Sequence, residues 1–262
     1  MATFVYASDV HGNVDAYERL FRLPADAVVL GGDLLPHPRG AGDRLVEIQR
    51  EFARDWLAPR LRSRPTYWVL GNDDWEACLP LLEGAGTPIH GRAVPFLEGL
   101  SIAGYGCVPV TPFGMKDFDR YDGEGWSPDP PPKRCLLSVP SGLRETSLDE
   151  VRSRGTIARD LERLAALSEP ARTVYVMHSP PARTGLDRLA DGTPVGSEAV
   201  RAFIESRQPP LTLHGHIHES PGVERLGRTV AANPGDSLTR LRALQVDLDG
   251  LSVRVTPLLR RG

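Results

Sequence analysis

The sequence predicts an α/β fold in which short strands alternate with helices. Five apolar runs, rich in β-branched and aromatic residues, suit buried strands: 4–7, 27–30, 67–70, 174–177 and 211–213. Between them lie stretches whose apolar residues recur at three- and four-residue spacing, as amphipathic helices require. Each run leads directly into side chains that bind metal. Asp9 and His11 follow the first, Asp33 the second, Asn72 the third, His178 the fourth, and His216 and His218 the fifth. Ligands of open α/β sheets gather beyond the carboxyl ends of strands. The pattern therefore predicts one site assembled from residues far apart in sequence.

The elements follow in order. After the first strand, Asn13 is placed to cap a helix reaching Leu23, with Ala16, Leu20 and Leu23 on one face and Pro24 as its stop. A Pro/Gly-rich loop, 36–42, precedes a long helix with Leu45, Ile48, Phe52 and Trp56 as its buried stripe; Pro59 is expected to kink or divide it. A shorter helix carries Trp75, Leu79 and Leu82 and closes at Gly84. Two strands are expected at 87–90 and 100–105. Residues 109–147 lose periodicity and read as a loop or cap insert, with Phe113 and Phe118 anchoring it and Trp126 left open. A helix over 148–167, interrupted near Gly155, follows, and then the fourth strand, a helix over 197–206 and the fifth strand. The tail alternates as antiparallel strands at 226–231, 242–247 and 251–255, with Asp249-Gly250 as a hairpin turn.

At 262 residues, with no repeat and no dividing linker, the chain is expected to form a single domain over 1–262. A net charge of −3 creates no strong field toward nucleic acid or an anionic membrane. No basic stripe interleaved with aromatics marks a nucleic-acid surface, so a nuclease ranks low. Nothing in the sequence specifies a protein partner. Cys78, Cys107 and Cys135 form no CxxC pair, which fits a reducing compartment. No apolar stretch approaches the ~20 residues a spanning helix needs. With no signal-peptide pattern before the first strand, the expected location is cytoplasmic.

Asp, Asn and His together form a mixed N/O donor set that suits Mn, Fe, Zn, Ni or Co. Seven such groups exceed the four of a closed structural zinc site and suffice for two ions that share one carboxylate. Asp9 and His11 lie two apart, as do His216 and His218, so extended backbone would point each pair the same way. A lone Asp or His at a strand end is usually a turn former or a hydrogen-bonded loop residue, and His37 and His90 are read that way, although His37 follows Asp33 closely enough to serve as an acid. His214 is read as a structural or supporting residue and not a ligand, its ring turned from His216. Asn13 is read as a cap and Asn233-Pro234-Gly235 as a structural turn. Arg183 is either a phosphate contact or simply solvated.

Asp9-Val10-His11, Gly32-Asp33, Gly71-Asn72-Asp73-Asp74, His178 and Gly215-His216-Ile217-His218 resemble, in order, the five blocks of the calcineurin-like metallophosphoesterase superfamily. The resemblance spans nearly the whole chain. It implies two mixed β-sheets packed face to face as a sandwich, flanked by helices. It also implies that Asp9, His11, Asp33 and His218 hold one divalent ion and Asp33, Asn72, His178 and His216 the other. Manganese is the expected metal, with Fe, Zn, Ni or Co as alternatives. The implied reaction is hydrolysis of a small phosphate ester by metal-activated hydroxide, with Asp33, Asn72 and Asp73 as catalytic residues.

Many members carry a His after the Gly-Asn, where this chain has Asp73. Beside two cations a carboxylate stays ionised, which makes it a poor acid near neutral pH and repels a monoester dianion. The expectation is a lean toward phosphodiesters. A bacterial phosphoprotein phosphatase is the alternative within enzymes. A non-catalytic interaction module on the same fold is the alternative from another class.

Overall fold

The computed structural model describes residues 1–259. It contains two six-stranded mixed sheets. The first runs β16 (Ser252–Leu259), β15 (Arg242–Asp249), β1 (Ala2–Ala7), β2 (Ala27–Gly31), β3 (Thr66–Val69), β4 (Thr87–Pro88). The second runs β13 (Gly222–Leu226), β14 (Thr229–Asn233), β12 (Leu211–Leu213), β11 (Thr173–Met177), β6 (Ser101–Tyr105), β5 (Ala93–Pro95). Strands β1, β2 and β3 are mutually parallel, as are β6, β11, β12 and β14. Their carboxyl ends therefore share one edge in each sheet.

Alternation along the strands sorts the side chains into two layers. Phe4 and Tyr6 of β1 and Val29 of β2 pack between the sheets against Ile102, Val174, Val176 and Leu213. Their neighbours Val5, Ala7, Val28 and Leu30 face the opposite way, into the core that holds the helices. That core includes Tyr17 and Leu20 of α1 (Val14–Phe21), Leu161 of α5 (Ile157–Ala165) and Phe203 of α6 (Glu198–Arg207). Apolar residues on both faces of a strand are what parallel strands covered on both sides demand. A buried polar bond crosses between the sheets: the Tyr6 hydroxyl donates to the His214 carbonyl at 2.9 Å.

Several elements differ from expectation for identifiable reasons. The long helix is α2 (Leu45–Glu51), a π-helical stretch Phe52–Leu57, and α3 (Ala58–Leu61). Pro59 can neither donate to the carbonyl four residues back nor avoid crowding it, and the widened turn accommodates both. The buried line is Val46, Gln49, Ala53, Leu57 and Leu61, one residue on from the expected stripe, which leaves Ile48, Phe52 and Trp56 half-buried. The helix expected around Leu79 is a 3₁₀ helix, Glu76–Leu82, with Pro80 inside. The strand expected over 226–231 instead straddles a two-residue turn, at Gly227 and Arg228, joining β13 to β14. The strand expected over 87–90 stops at Pro88. The break near Gly155 is present, with α4 (Leu148–Ser153) and α5 capped by Ser147 and Thr156.

The 109–147 segment is more ordered than its lost periodicity suggests. A parallel bridge pairs β7 (Val108–Pro109) with β8 (Asp119–Arg120), and β9 (Leu136–Val139) and β10 (Gly142–Glu145) form a hairpin. Buried charges anchor it. Lys116, with no exposed surface, places its ammonium 2.6 Å from Asp119 and from the Phe113 carbonyl and 3.0 Å from the carbonyls of Thr111 and Met115, four acceptors around its three N–H donors. Asp122 accepts from the backbone of Glu198 at 2.8 Å, at the start of α6. Phe118 is buried as expected, but Phe113 is 63% exposed: its carbonyl, not its ring, joins the anchor. Trp126 packs edge-on against Tyr121.

All three cysteines are buried and unpaired. No helix among the described residues is long and apolar enough to cross a membrane. Replacing Lys116 by Ala would leave Asp119 buried without its partner, so urea unfolding should show a loss of ~3–5 kcal/mol. A change below ~1 kcal/mol would mean that the cation does not hold the segment.

Candidate metal centre

The strands end and the chain turns at once. Asp9, His11, Asp33 and His216 all adopt positive φ, between 46° and 64°. Such backbone costs ~1–3 kcal/mol per residue and persists only where the surroundings impose it. Here cross-strand bonds impose it: Asp9 N donates to the Gly32 carbonyl at 3.0 Å and His11 N to that of Asp33 at 2.9 Å. The expectation that extended backbone aligns Asp9 with His11, and His216 with His218, is thus replaced. Left-handed turns bring these side chains together.

Two groups of ligand atoms result. Asp9, His11, Asp33 and His218 offer atoms within 4.8 Å of one another, and so do Asp33, His178 and His216. Asp33 belongs to both. His11 Nε2 lies 3.4 Å from His218 Nε2, which lies 3.2 Å from Asp9 Oδ1. His178 Nε2 lies 3.3 Å from Asp33 Oδ2. The Asn72 Nδ2 donates to Asp73 Oδ1 at 3.2 Å, while its buried Oδ1 has no hydrogen-bond partner among the described residues. The same is true of His178 Nε2. The His178 Nδ1 donates to the Gly31 carbonyl at 2.8 Å, so in the neutral ring that a cation would bind the lone pair is on Nε2. Buried, unpartnered N and O atoms beside two carboxylates fit divalent cations.

The electrostatics agree. Burial opposes ionisation of Asp9 and Asp33, yet the histidines around them hold both carboxyls below the usual range. Burial likewise opposes charge on His178 and His218, yet Asp33 and Asp9 raise both above the ordinary histidine value. The cluster demands positive charge. His216 is pushed down to about 4, by burial first and then by His178, and remains a neutral donor.

Close approach explains two glycines. A Cβ at Gly71 would collide with Asp33 Oδ1 and His178 Nε2, and one at Gly215 with Ser8 and Asp9. His214 turns away, as expected. Its Nδ1 lies 2.9 Å from both the Met177 and Ser179 carbonyls, and the Thr212 hydroxyl lies 2.9 Å from its Nε2. Burial lowers it to about 4, so it is a neutral tie between β11 and β12. Asn13 caps α1 and also donates to the Ser237 carbonyl at 2.7 Å. His90 Nδ1 accepts from Gly106 N at 3.0 Å. Arg183 pairs with Glu198 at 2.6 Å on the exposed surface.

Two braces were missed. Asp74 is buried and accepts from the backbone of Gly71, Leu34 and Leu35 at 2.8–3.0 Å, joining the third strand end to the second. Buried Gln49 donates to the Asp73 carbonyl at 2.6 Å and the Pro36 carbonyl at 3.2 Å, and accepts from Trp75 N at 2.8 Å. A glutamine four residues from Leu45 on an apolar helix face was the available signal. His37 and Asp73, read separately from sequence, meet: His37 Nδ1 lies 2.9 Å from Asp73 Oδ2.

The profile of the calcineurin-like phosphoesterase family matches residues 2–220. The chain is similar to the uncharacterized protein MJ1162 of Methanocaldococcus jannaschii, 25% identical over 231 residues that cover 87% of this chain and 85% of that one. Among solved structures it is similar to TT1561 of Thermus thermophilus, with 20% identity, a TM-score of 0.59, and 97% and 98% of the two chains covered. It is also similar to a dimetal phosphatase from Danio rerio, with 14% identity, a TM-score of 0.56, and 98% of each chain covered. At these identities the structural likenesses concern the fold.

Gly71→Ala should keep the fold but push Asp33 and His178 apart. Calorimetric titration of the metal-stripped variant with Mn should show at least about tenfold weaker binding than wild type. Unchanged affinity would show that the close approach does not shape the centre.

Proposed function

The chain belongs to the calcineurin-like phosphoesterase family, and we propose that it hydrolyses small phosphate esters with two divalent metal ions. In this reading Asp9, His11, Asp33 and His218 hold one ion, and Asp33, Asn72, His178 and His216 the other. The observation that carries it is the pair of ligand clusters sharing Asp33. Such an ion pair supplies a water of lowered pKa and charge that offsets the phosphoryl oxygens. Manganese is the first candidate, and Fe, Zn, Ni or Co suit the same donors.

The chain's own residues do the rest. Asp33, 2% exposed, fixes the spacing of the two clusters, and Asp73 N donates to its Oδ1 at 2.8 Å. Asn72 is held by its Nδ2, which leaves Oδ1 for the centre. The rings of His178 and His216 lie 5.5 Å apart and face the same carboxylate. An interaction module on this fold would need none of these atoms, and the set is intact. A phosphoprotein phosphatase would use the same centre with other walls.

The lean toward diesters rests on the carboxylate of Asp73. Its side chain is 26% exposed, beside Asn72, so it would repel a monoester dianion more strongly than a diester monoanion. His37 moderates this: protonated, it cancels the charge on Asp73, and its pKa is raised, chiefly by the hydrogen bond to Asp73. The ratio of bis(p-nitrophenyl) phosphate to p-nitrophenyl phosphate turnover should therefore rise as pH climbs through the titration of His37. A flat ratio favouring the monoester would remove the argument.

Metal-stripped protein should be inactive, and Mn, Ni or Zn should restore turnover better than Mg. Asp33→Asn should abolish turnover on every ester, at least ~10³-fold, and reduce bound metal measured by elemental analysis. Full activity in that variant would end the two-ion reading.

A further inference from the structure

We propose that His37 is the group that protonates the leaving oxygen, with Asp73 as its positioning residue; this rests on the phosphoesterase reading above. The chain lacks the histidine expected after Asn72, but the structure returns an imidazole to that neighbourhood from the loop after β2. Asp73 uses both carboxylate oxygens, Oδ1 on Asn72 Nδ2 at 3.2 Å and Oδ2 on His37 Nδ1 at 2.9 Å. With Nδ1–H committed to Asp73, Nε2 is the nitrogen left to meet a substrate. The loop that carries the ring is fixed at three points. Asp74 accepts from Leu34 N and Leu35 N, Gln49 donates to the Pro36 carbonyl, and Gly12 N donates to the Leu34 carbonyl at 3.0 Å. Pro36 lies against Gly12, and His37, the next residue, against Asp73. Its side chain is 36% exposed, open to an incoming ester where Asp9 and Asp33 are buried.

The chemistry balances. As the bond from phosphorus to the leaving oxygen breaks, its electron pair stays on that oxygen. The Nε2 proton of His37 moves to it, while a hydroxide oxygen, from a water that has given its proton to solvent, bonds to phosphorus on the opposite side. The ring ends neutral, its Nδ1–H still on Asp73, and takes a proton back from solvent. The charged groups facing the ring are Asp73, Asp33 and Asp74, and all favour its protonated form, against partial burial.

The test compares leaving groups. His37→Gln should slow esters of poor leaving groups, such as phenyl or alkyl, by ~10²–10³-fold, and p-nitrophenyl esters by no more than ~10-fold. Asp73→Asn should show the same ordering, more weakly. A second readout needs no turnover: NMR titration of the metal-stripped protein should place the His37 pKa above the ordinary histidine value, and Asp73→Asn should lower it. Equal losses for all leaving groups, or no loss, in a folded His37→Gln protein with wild-type metal content would overturn the assignment. So would an unshifted His37 in the titration. A wild-type protein that binds two metals but hydrolyses no ester would instead sink the phosphoesterase reading, while the titration still decides the pairing.

Discussion

Two carboxylates buried where the edges of two sheets meet impose the main constraint on this molecule. Asp9 and Asp33 are 0% and 2% exposed. An ionised carboxylate taken from water destabilises the fold by several kcal/mol unless positive charge or hydrogen bonds replace the solvent. The surrounding structure supplies both. Backbone N–H groups of His216 and Asp73 donate to the two side chains at 2.8–3.1 Å, and histidines from the other sheet crowd against them. That still leaves unpartnered nitrogen and oxygen atoms, which is the deficit a pair of cations would fill.

The same constraint accounts for the strained backbone. Of the residues outside glycine with positive φ, Asp9, His11, Asp33 and His216 all belong to the cluster. A chain leaving a buried strand in a left-handed turn brings its side chain back over the sheet edge instead of out into solvent. The turn holds because neighbouring strand ends are tied to each other. Asp74 binds the loop after β2 to the one after β3, His214 binds the segment after β11, and Tyr6 spans the sheets. Ligands carried on rigid strand ends keep their geometry better than ligands on free loops.

Much of this was legible in the sequence. The five strands that deliver the cluster, and the residues that end them, stand out because a buried parallel strand is a short apolar run and a ligand is a polar residue interrupting it. The 3.6-residue pattern located α1, α5 and α6 for the same reason. What escaped were features that depend on tertiary contact. Pro59 announced a disturbance, but not that a widened helix would absorb it, and the apolar stripe read one residue early, which hid that Gln49 faces inward. The 109–147 segment hid its order because its anchor is a lysine ammonium and aspartates, which look like solvated surface in one dimension. Gly227-Arg228 broke an alternating stretch that read as a single strand. The ligand pairs were expected to align through extended backbone, and instead converge through turns that only the completed site can hold.

The pairing of His37 with Asp73 shows why a motif read position by position can mislead. Taken alone, Asp73 turns the edge of the centre more negative and removes an acid. Taken with His37, it becomes the acceptor that orients an imidazole and holds its proton. The net charge of the pair when protonated is zero, as it would be for a neutral histidine standing alone. What changes is reach: the donor now comes from a loop clamped by Gln49 and Asp74 instead of from the strand end. A leaving group must approach that loop to be protonated, so the loop that carries His37 helps set which esters fit.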